Sequence, residues 1–384
     1  MKSPPLSLYV HLPWCVQKCP YCDFNSHTAG AAAPRERYLG ALLLDLDQEA
    51  PRAAGRRREP VFLGGGTPSL FSPQEIERLL QGVRARFDVA ADAEITMEAN
   101  PGTVECGAPA GYRKAGVTRL SIGAQSLNNT SLKKLGRIHS RGDVIRVASE
   151  ARAAGFDSFN IDLMHGLPGQ GVQEALDDLR AVIELGPPHI SWYQLTIEPN
   201  TVFFARPPED LPDEDTAYEI QDEGYALLTA AGYRQYEVSA FVRDDQPCRH
   251  NLNYWLFGDY LAAGAGAHGK LTRAEGIYRY QKPANPQQYM LAMESGANGV
   301  TLHPVTGQER LFEFMLNALR LRDGFETDLF VARTGLQAGD LEDAMRPASE
   351  RGLVVREASN RWQPTALGRR FLNDLQASFL PESG

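Results

Sequence analysis

The sequence predicts an α/β fold: a partial (β/α)6 barrel of parallel strands, followed by a small winged-helix-like α+β domain. Three observations carry this. Short apolar runs alternate with amphipathic stretches through the first 200 residues. The residues of unusual chemistry fall at the ends of those runs. From about residue 300 the pattern changes to helices and one hairpin. Strands alternating with helices imply parallel βαβ units, whose chemistry collects at the C-terminal ends of the strands.

Leu6–His11 reads as the first strand, followed by a cysteine loop and a helix over Arg35–Glu49. Val61–Leu63 is a short apolar strand that runs into Gly64-Gly65-Gly66-Thr67-Pro68. The next helix starts after Ser72, with Pro73 at its first position and Glu75 completing a capping box. Its apolar residues Ile76, Leu79, Leu80, Val83 and Phe87 keep helical spacing. Glu94–Ala99, Thr118–Ile122, Phe156–Met164 and Ile190–Ile197 complete a set of six strands. Glu98 then ends strand three, Gln125 follows strand four and Asp162 closes strand five. Pro207–Asp213 reads as a loop between subregions, and composition shifts again near Gly296–Gln308. Glu309–Leu321 is amphipathic, and Leu353–Val355 with Arg361-Trp362 reads as a hairpin. The expected divisions are 1–235 for the barrel, 236–300 for an extension of it and 301–384 for the C-terminal domain.

Composition excludes several classes. With 43% hydrophobic and 23% charged residues, the 384-residue chain has the balance of a globular protein. Lys plus Arg is 39 and Asp plus Glu is 48, a net charge of −9. That argues against nucleic-acid binding, which needs a basic footprint. The last 85 residues carry 10 basic and 12 acidic side chains, so the winged-helix-like domain is no DNA reader either. Five cysteines are an odd count for a disulfide framework, and a reduced, cytoplasmic setting is expected. Neither a leader nor a membrane-spanning run is expected.

Cys15, Cys19 and Cys22 form a Cys-x3-Cys-x2-Cys triplet after the first strand. Soft thiolates suit iron–sulfur clusters and zinc. A structural zinc ion would want a fourth ligand, for which His11 and His27 are the local candidates. Three thiolates alone suit a cubane with one iron left open. Cys106 and Cys248 read as bystanders, and His268 as a structural residue in a Gly-rich turn.

The triplet, the Gly64–Pro68 run, Glu98-Ala99-Asn100-Pro101-Gly102, Leu135-Gly136-Arg137-Ile138-His139-Ser140 and Asn160–Gly169 together resemble the radical SAM superfamily. The resemblance spans nearly the whole chain and is strongest to the coproporphyrinogen III dehydrogenase (HemN) group. It implies a TIM-like radical SAM barrel and a [4Fe-4S] cluster on Cys15, Cys19 and Cys22. The open iron would chelate the amino and carboxylate groups of S-adenosyl-L-methionine (SAM), which the cluster's electron would cleave to a 5′-deoxyadenosyl radical. Gly65, Gly66 and Thr67 would bind the methionine amino end, and Glu98 an ammonium or ribose hydroxyls. Tyr9, Gln125, Arg137 and Asp162 match further SAM-contacting positions, and Tyr21 can line the same pocket.

Two departures separate this chain from the dehydrogenase. Phe24 stands where that group has a fourth cysteine, and the chain starts only eight residues before Tyr9. Both match the heme-chaperone (HemW) branch. So does His250-Asn251-Leu252-Asn253-Tyr254-Trp255, which resembles that branch's His-Asn-x-x-Tyr-Trp heme signature. The resemblance implies heme contact at His250, with Tyr254 and Trp255 as flat apolar surface. Two functions stand. One is a heme chaperone that passes heme to acceptor hemoproteins such as respiratory enzymes. In that reading, cluster and SAM regulate dimerisation or transfer, and peripheral membrane contact is compatible with delivery. The other is an oxygen-independent coproporphyrinogen III oxidase.

Overall fold

The computed structural model describes residues 3–30, 33–102, 108–296 and 300–381; Cys106, read above as a bystander, lies outside them. Six parallel strands run in sequence order: β1 (Leu6–Leu12), β2 (Arg58–Gly65), β3 (Val89–Ala99), β4 (Arg119–Gln125), β5 (Ser158–His165) and β6 (His189–Gln194). Each neighbouring pair is parallel, with Val10 beside Leu63 and Met97 beside Leu120. Strands of this kind are covered on both faces, so they read as near-continuous apolar runs. Leu6, Leu8, Val10 and Leu12 of β1 are accordingly all buried.

Helices cover the sheet between strands. Helix α1 spans Arg35–Glu49, as the sequence predicts, and α2 spans Pro73–Arg86. The Ser72 capping box forms in both directions: Glu75 N–H donates to Ser72 Oγ, and Ser72 N–H to Glu75 Oε2. Helices α3 (Pro109–Ala115), α4 (Arg141–Ala153), α5 (Val172–Leu185) and α6 (Glu214–Ala230) follow.

The sheet is wider than six strands. Beyond β6 it gains β7 (Arg234–Glu237) and β8 (Ala240–Val242): β8 pairs antiparallel with β6, and β7 lies outside it, antiparallel to β8. Helix α7 (Arg249–Trp255) then leads to β9 (Asp259–Ala263), which returns beside β1 as a further parallel strand. Strands β10 (His268–Thr272), β11 (Ile277–Gln281) and β12 (His303–Pro304) extend that edge, making twelve strands among the described residues. His268 therefore opens a strand, opposite Gln281, rather than sitting in a turn. The turn is made before it, at Gly264 and Gly266, both at positive φ.

This edge is tied to α1 by a buried polar group. Lys282 Nζ donates to Asp45 Oδ1 at 2.5 Å and to Glu49 Oε1 at 2.7 Å, and none of the three side chains is exposed. Tyr289 and Gly264 N–H donate to Asp45, and Tyr280 and Arg52 donate to Glu49.

The C-terminal part has its own core around Phe314, Phe325, Phe330, Leu341, Met345 and Trp362. It holds helices α8 (Gly307–Ala318), α9 (Thr327–Thr334) and α10 (Ala338–Glu350). Strands β13 (Phe325–Glu326), β14 (Val354–Arg356) and β15 (Arg361–Pro364) form its sheet. The predicted hairpin is β14–β15, antiparallel with Val355 opposite Gln363. Among the described residues, no helix is long and apolar enough to cross a membrane.

Candidate functional site

A cavity of about 610 Å³ opens at the C-terminal ends of the parallel strands. Cys15, Cys19, Tyr21, Cys22, Gly66, Thr67, Glu98, Gln125, Arg137 and Asp162 all line it. Three other residues singled out in the sequence, Tyr9, Gly65 and His250, are not in its lining.

The cysteine loop is closed at its base by a short parallel pairing of Trp14-Cys15 with His27-Thr28. Cys22 N–H donates to the Cys19 carbonyl at 3.2 Å, which curls the middle of the loop. Asn25 anchors its far side by donating to the Ala265 and Ala284 carbonyls. Thr67 Oγ1 donates to Cys15 Sγ at 3.3 Å, and Arg137 Nη1 lies 3.8 Å from Cys19 Sγ. Burial raises the thiol pKa of Cys15 and of Cys22, so an electropositive ligand is what would hold them as thiolates.

The histidines considered for zinc are engaged elsewhere. His11 spends both ring nitrogens, on Tyr9 OH at 2.9 Å and the Asn25 carbonyl at 2.8 Å. His27 Nε2 meets Asn25 Oδ1 at 3.1 Å. Among the described residues, no three His, Cys, Asp or Glu side chains gather as they would around one metal ion. A cubane asks for something different, because each thiolate binds its own iron. Three cysteines and no fourth ligand fit that donor set.

The glycine run packs directly onto the cysteine strand. Gly66 N–H donates to the Leu12 carbonyl and Thr67 N–H to the Trp14 carbonyl, each at 2.8 Å. A Cβ on Gly66 would lie 2.7 Å from the Trp14 carbonyl oxygen, and Gly65 has φ +116° with the His11 ring where its Cβ would be. Only glycine permits these approaches. Gly65 N–H donates to Glu98 Oε2 at 3.0 Å, so Gly65 acts from behind the cavity wall.

Glu98 and Asp162 form the acidic side. Burial, with the Asp162 charge second, pushes the Glu98 carboxyl up to about 7. Asp162 is also raised, by burial, despite hydrogen bonds from Ser121 Oγ at 2.9 Å and Asn160 Nδ2 at 2.7 Å. Asn160 is in turn fixed by His189 and Ser191. Asp162 does not close its strand. β5 runs on to His165, because Met164 and His165 pair with Tyr193 and Gln194 of β6. Gln125 ends β4 rather than following it, at φ +61° beside a register shift. Its Oε1 is buried without a hydrogen-bond partner, as is Arg137 Nε. Strained backbone and unpaired buried polar atoms on one cavity wall mark a place built to receive a polar ligand.

The His250 ring lies outside this cavity. It is 4% exposed, stacks on Phe62 at 4.4 Å and meets Tyr254 edge-on at 4.8 Å. Burial lowers its pKa to about 3. Tyr254 packs inward against Tyr260. The motif reaches the cavity through Asn251 and Trp255 instead. The His250 ring therefore sits behind the cavity wall among Phe62, Tyr254 and Tyr9, with its Nδ1 buried and without a hydrogen-bond partner. Cys248 is buried beside Glu94, and burial pushes its thiol up to about 12.

Four further lining residues carry no signal in the sequence. Tyr193, Gln194, Glu237 and Arg320 also line the cavity. Arg320 Nη2 donates to Glu237 Oε2 at 3.0 Å, and its guanidinium lies 4.3 Å over the Trp255 ring. The C-terminal part thus contributes a cation to the barrel cavity. No local motif marks Arg320; only the fold brings it to Trp255.

A three-cysteine loop, a glycine run and two buried carboxylates around one cavity of a parallel barrel define a radical SAM protein. The radical SAM superfamily pattern matches residues 9–182, and the HemN C-terminal domain matches residues 305–371. The chain is 50% identical to Heme chaperone HemW of Escherichia coli K12, over the full length of both. It is 48% identical to Heme chaperone HemW of Haemophilus influenzae, over 99% of each chain. The solved structure of the E. coli coproporphyrinogen III oxidase HemN matches 98% of this chain and 90% of its own, with TM-score 0.82 and 26% identity. The chain belongs to the HemW family within the radical SAM superfamily.

Proposed function

We propose that this protein is a heme chaperone: it binds heme and passes it to acceptor hemoproteins. The observation that carries this reading is the end-to-end identity of 50% with a protein named for that role. Phe24, exposed at the cavity lining where the dehydrogenase group has a cysteine, supports it.

In this reading Cys15, Cys19 and Cys22 hold a [4Fe-4S] cluster, and SAM occupies the adjoining space. When bound, the cluster supplies an open iron for the amino and carboxylate groups of SAM, and an electron source. The chain's own residues do the rest. Gly66 and Thr67 present a wall without bulk, and Glu98 faces a cationic group. Gln125 Oε1 and Arg137 Nε offer the acceptor and donor they leave unpaired. Asp162 takes polar groups on its side of the cavity, and Tyr21 closes the edge near Cys19. Tyr9, Gly65 and His250 support the wall from behind. The proposal extends to a cytoplasmic site of action and to respiratory hemoproteins as acceptors.

The competing reading is coproporphyrinogen III oxidation on the same scaffold. The test is an anaerobic incubation of the reconstituted protein with coproporphyrinogen III, SAM and a reductant. The expected product is unchanged coproporphyrinogen; protoporphyrinogen IX would overturn the chaperone reading.

A further inference from the structure

A second cavity, of about 380 Å³, lies between α6 and the C-terminal part. Four guanidinium groups line it, Arg320, Arg322, Arg369 and Arg370, against two carboxylates, Asp222 and Glu237. Glu237 is already paired with Arg320. The other three arginines rest on neutral groups. Arg322 Nη1 donates to Gln235 Oε1 at 3.0 Å, Arg369 Nη1 to the Pro364 carbonyl at 2.6 Å, and Arg370 sits 3.8 Å over the Tyr218 ring. Among the described residues none of the three makes an ion pair. Burial, with the neighbouring Arg322 charge second, pushes the Arg369 guanidinium below its ordinary range.

This gathering of unpaired cations stands out in a chain of net charge −9. Tyr225, Val238 and Leu367 supply apolar wall between the arginines, and Tyr218 and Leu367 are 40% and 46% exposed. Guanidinium forks recognise carboxylates bidentately, and the aromatic and aliphatic surface suits a flat apolar body. The ligand that satisfies both halves is amphipathic: an apolar plane carrying carboxylates along one edge.

We propose that this cleft seats the propionate edge of heme, with the macrocycle against Tyr218, Tyr225 and Leu367. The proposal rests on the heme-chaperone reading and adds where the cargo's carboxylates are held. Its position follows from shared residues. Arg320 and Glu237 line both cavities, so their ion pair stands between the cargo cleft and the cysteine loop's cavity. Arg320 also packs on Trp255, which connects the His-Asn-x-x-Tyr-Trp motif to the cleft.

The experiment titrates the full-length, anaerobically reconstituted protein with heme and with heme dimethyl ester, whose propionates are capped. The unaltered protein is compared with the triple variant Arg322→Gln, Arg369→Gln, Arg370→Gln. Heme affinity should fall about tenfold or more in the triple variant. The ester should bind the unaltered protein about as weakly as heme binds the variant. Equal binding of heme and ester overturns the proposal, and so does unchanged heme affinity in a variant that keeps its cluster absorption. The ester arm needs no substitution, so it decides even where the triple variant fails to fold. Failure of the unaltered protein to bind heme would remove the chaperone reading together with the cleft. Heme binding that ignores both arms would remove the cleft alone.

Discussion

Arg137 holds its Nη1 3.8 Å from Cys19 Sγ while its Nη2 donates to the Gly123 carbonyl at 2.7 Å. A largely buried cation is thereby fixed between the cysteine loop and the end of β4. With Cys19 as a cluster ligand, as proposed, it would stabilise the thiolate charge, and its Nε is left unpaired for a second partner. Arg137→Ala should lower both retention of the reconstituted cluster and SAM affinity, the latter by about tenfold or more. Arg137→Lys restores charge but not the fork, so it should recover the cluster better than SAM binding. Calorimetric titration with SAM, beside iron analysis, reads both; wild-type values for Arg137→Ala would contradict the assignment.

Glu98 gives a pH signature. Its carboxyl is raised from 4.5 to about 7 in the fold, by burial first and by Asp162 second. The folded protein therefore keeps a proton there that the unfolded chain releases. The stabilisation is complete below about pH 4.5 and is lost as pH rises through about 7. Denaturation of the ligand-free protein between pH 5 and 8 should show this slope, and Glu98→Gln should flatten it. SAM affinity should move the opposite way, strengthening as Glu98 ionises. The two slopes of opposite sign separate a cation-binding carboxylate from a merely buried one.

Gly66→Ala tests the contact between the glycine run and the cysteine strand. The added methyl meets the backbone of Pro13 and Trp14 at 2.7–2.8 Å, which no side-chain rotation relieves. A loss of about 1–3 kcal/mol is expected in chemical denaturation, with cluster loading falling alongside. Gly40→Ala is the control, since no atom lies within 4 Å of its added Cβ.

Lys282 does not line the cavity, so its replacement tests the fold. Replacing it by Ala leaves the buried Asp45 without a cation and Glu49 with Arg52 alone. Such a change costs about 3–5 kcal/mol. Denaturant melts should show that loss, while Lys282→Ala protein below its transition should still load a cluster.

What the sequence made legible follows from locality. The six parallel strands are continuous apolar runs, and α1 and α2 carry periodicity or caps, so each could be read from neighbouring residues. The cysteine, glycine and strand-end residues were legible because they follow those strands. With Tyr21 and Arg137, ten of the predicted site residues share one cavity. Strand ends were less legible. Asp162 sits inside β5, since pairing with β6 continues past it. His250 shows the limit most clearly. The motif was visible, but only packing with Phe62, Tyr254 and Tyr9 decides where its ring points. Arg320 and the arginine cleft were invisible because they depend on the docking of the C-terminal part. There, residues far apart in the chain meet.

The central claim is transfer of heme, and one measurement reads it most directly. The reconstituted protein is loaded with heme under anaerobic conditions and mixed with the apo form of a respiratory hemoprotein. Acceptor absorbance is then followed, with free heme at the same concentration as reference. Heme is expected to leave this protein and appear in the acceptor, faster than free heme does. Heme that stays bound, or an acceptor that fills no faster than from free heme, would contradict it.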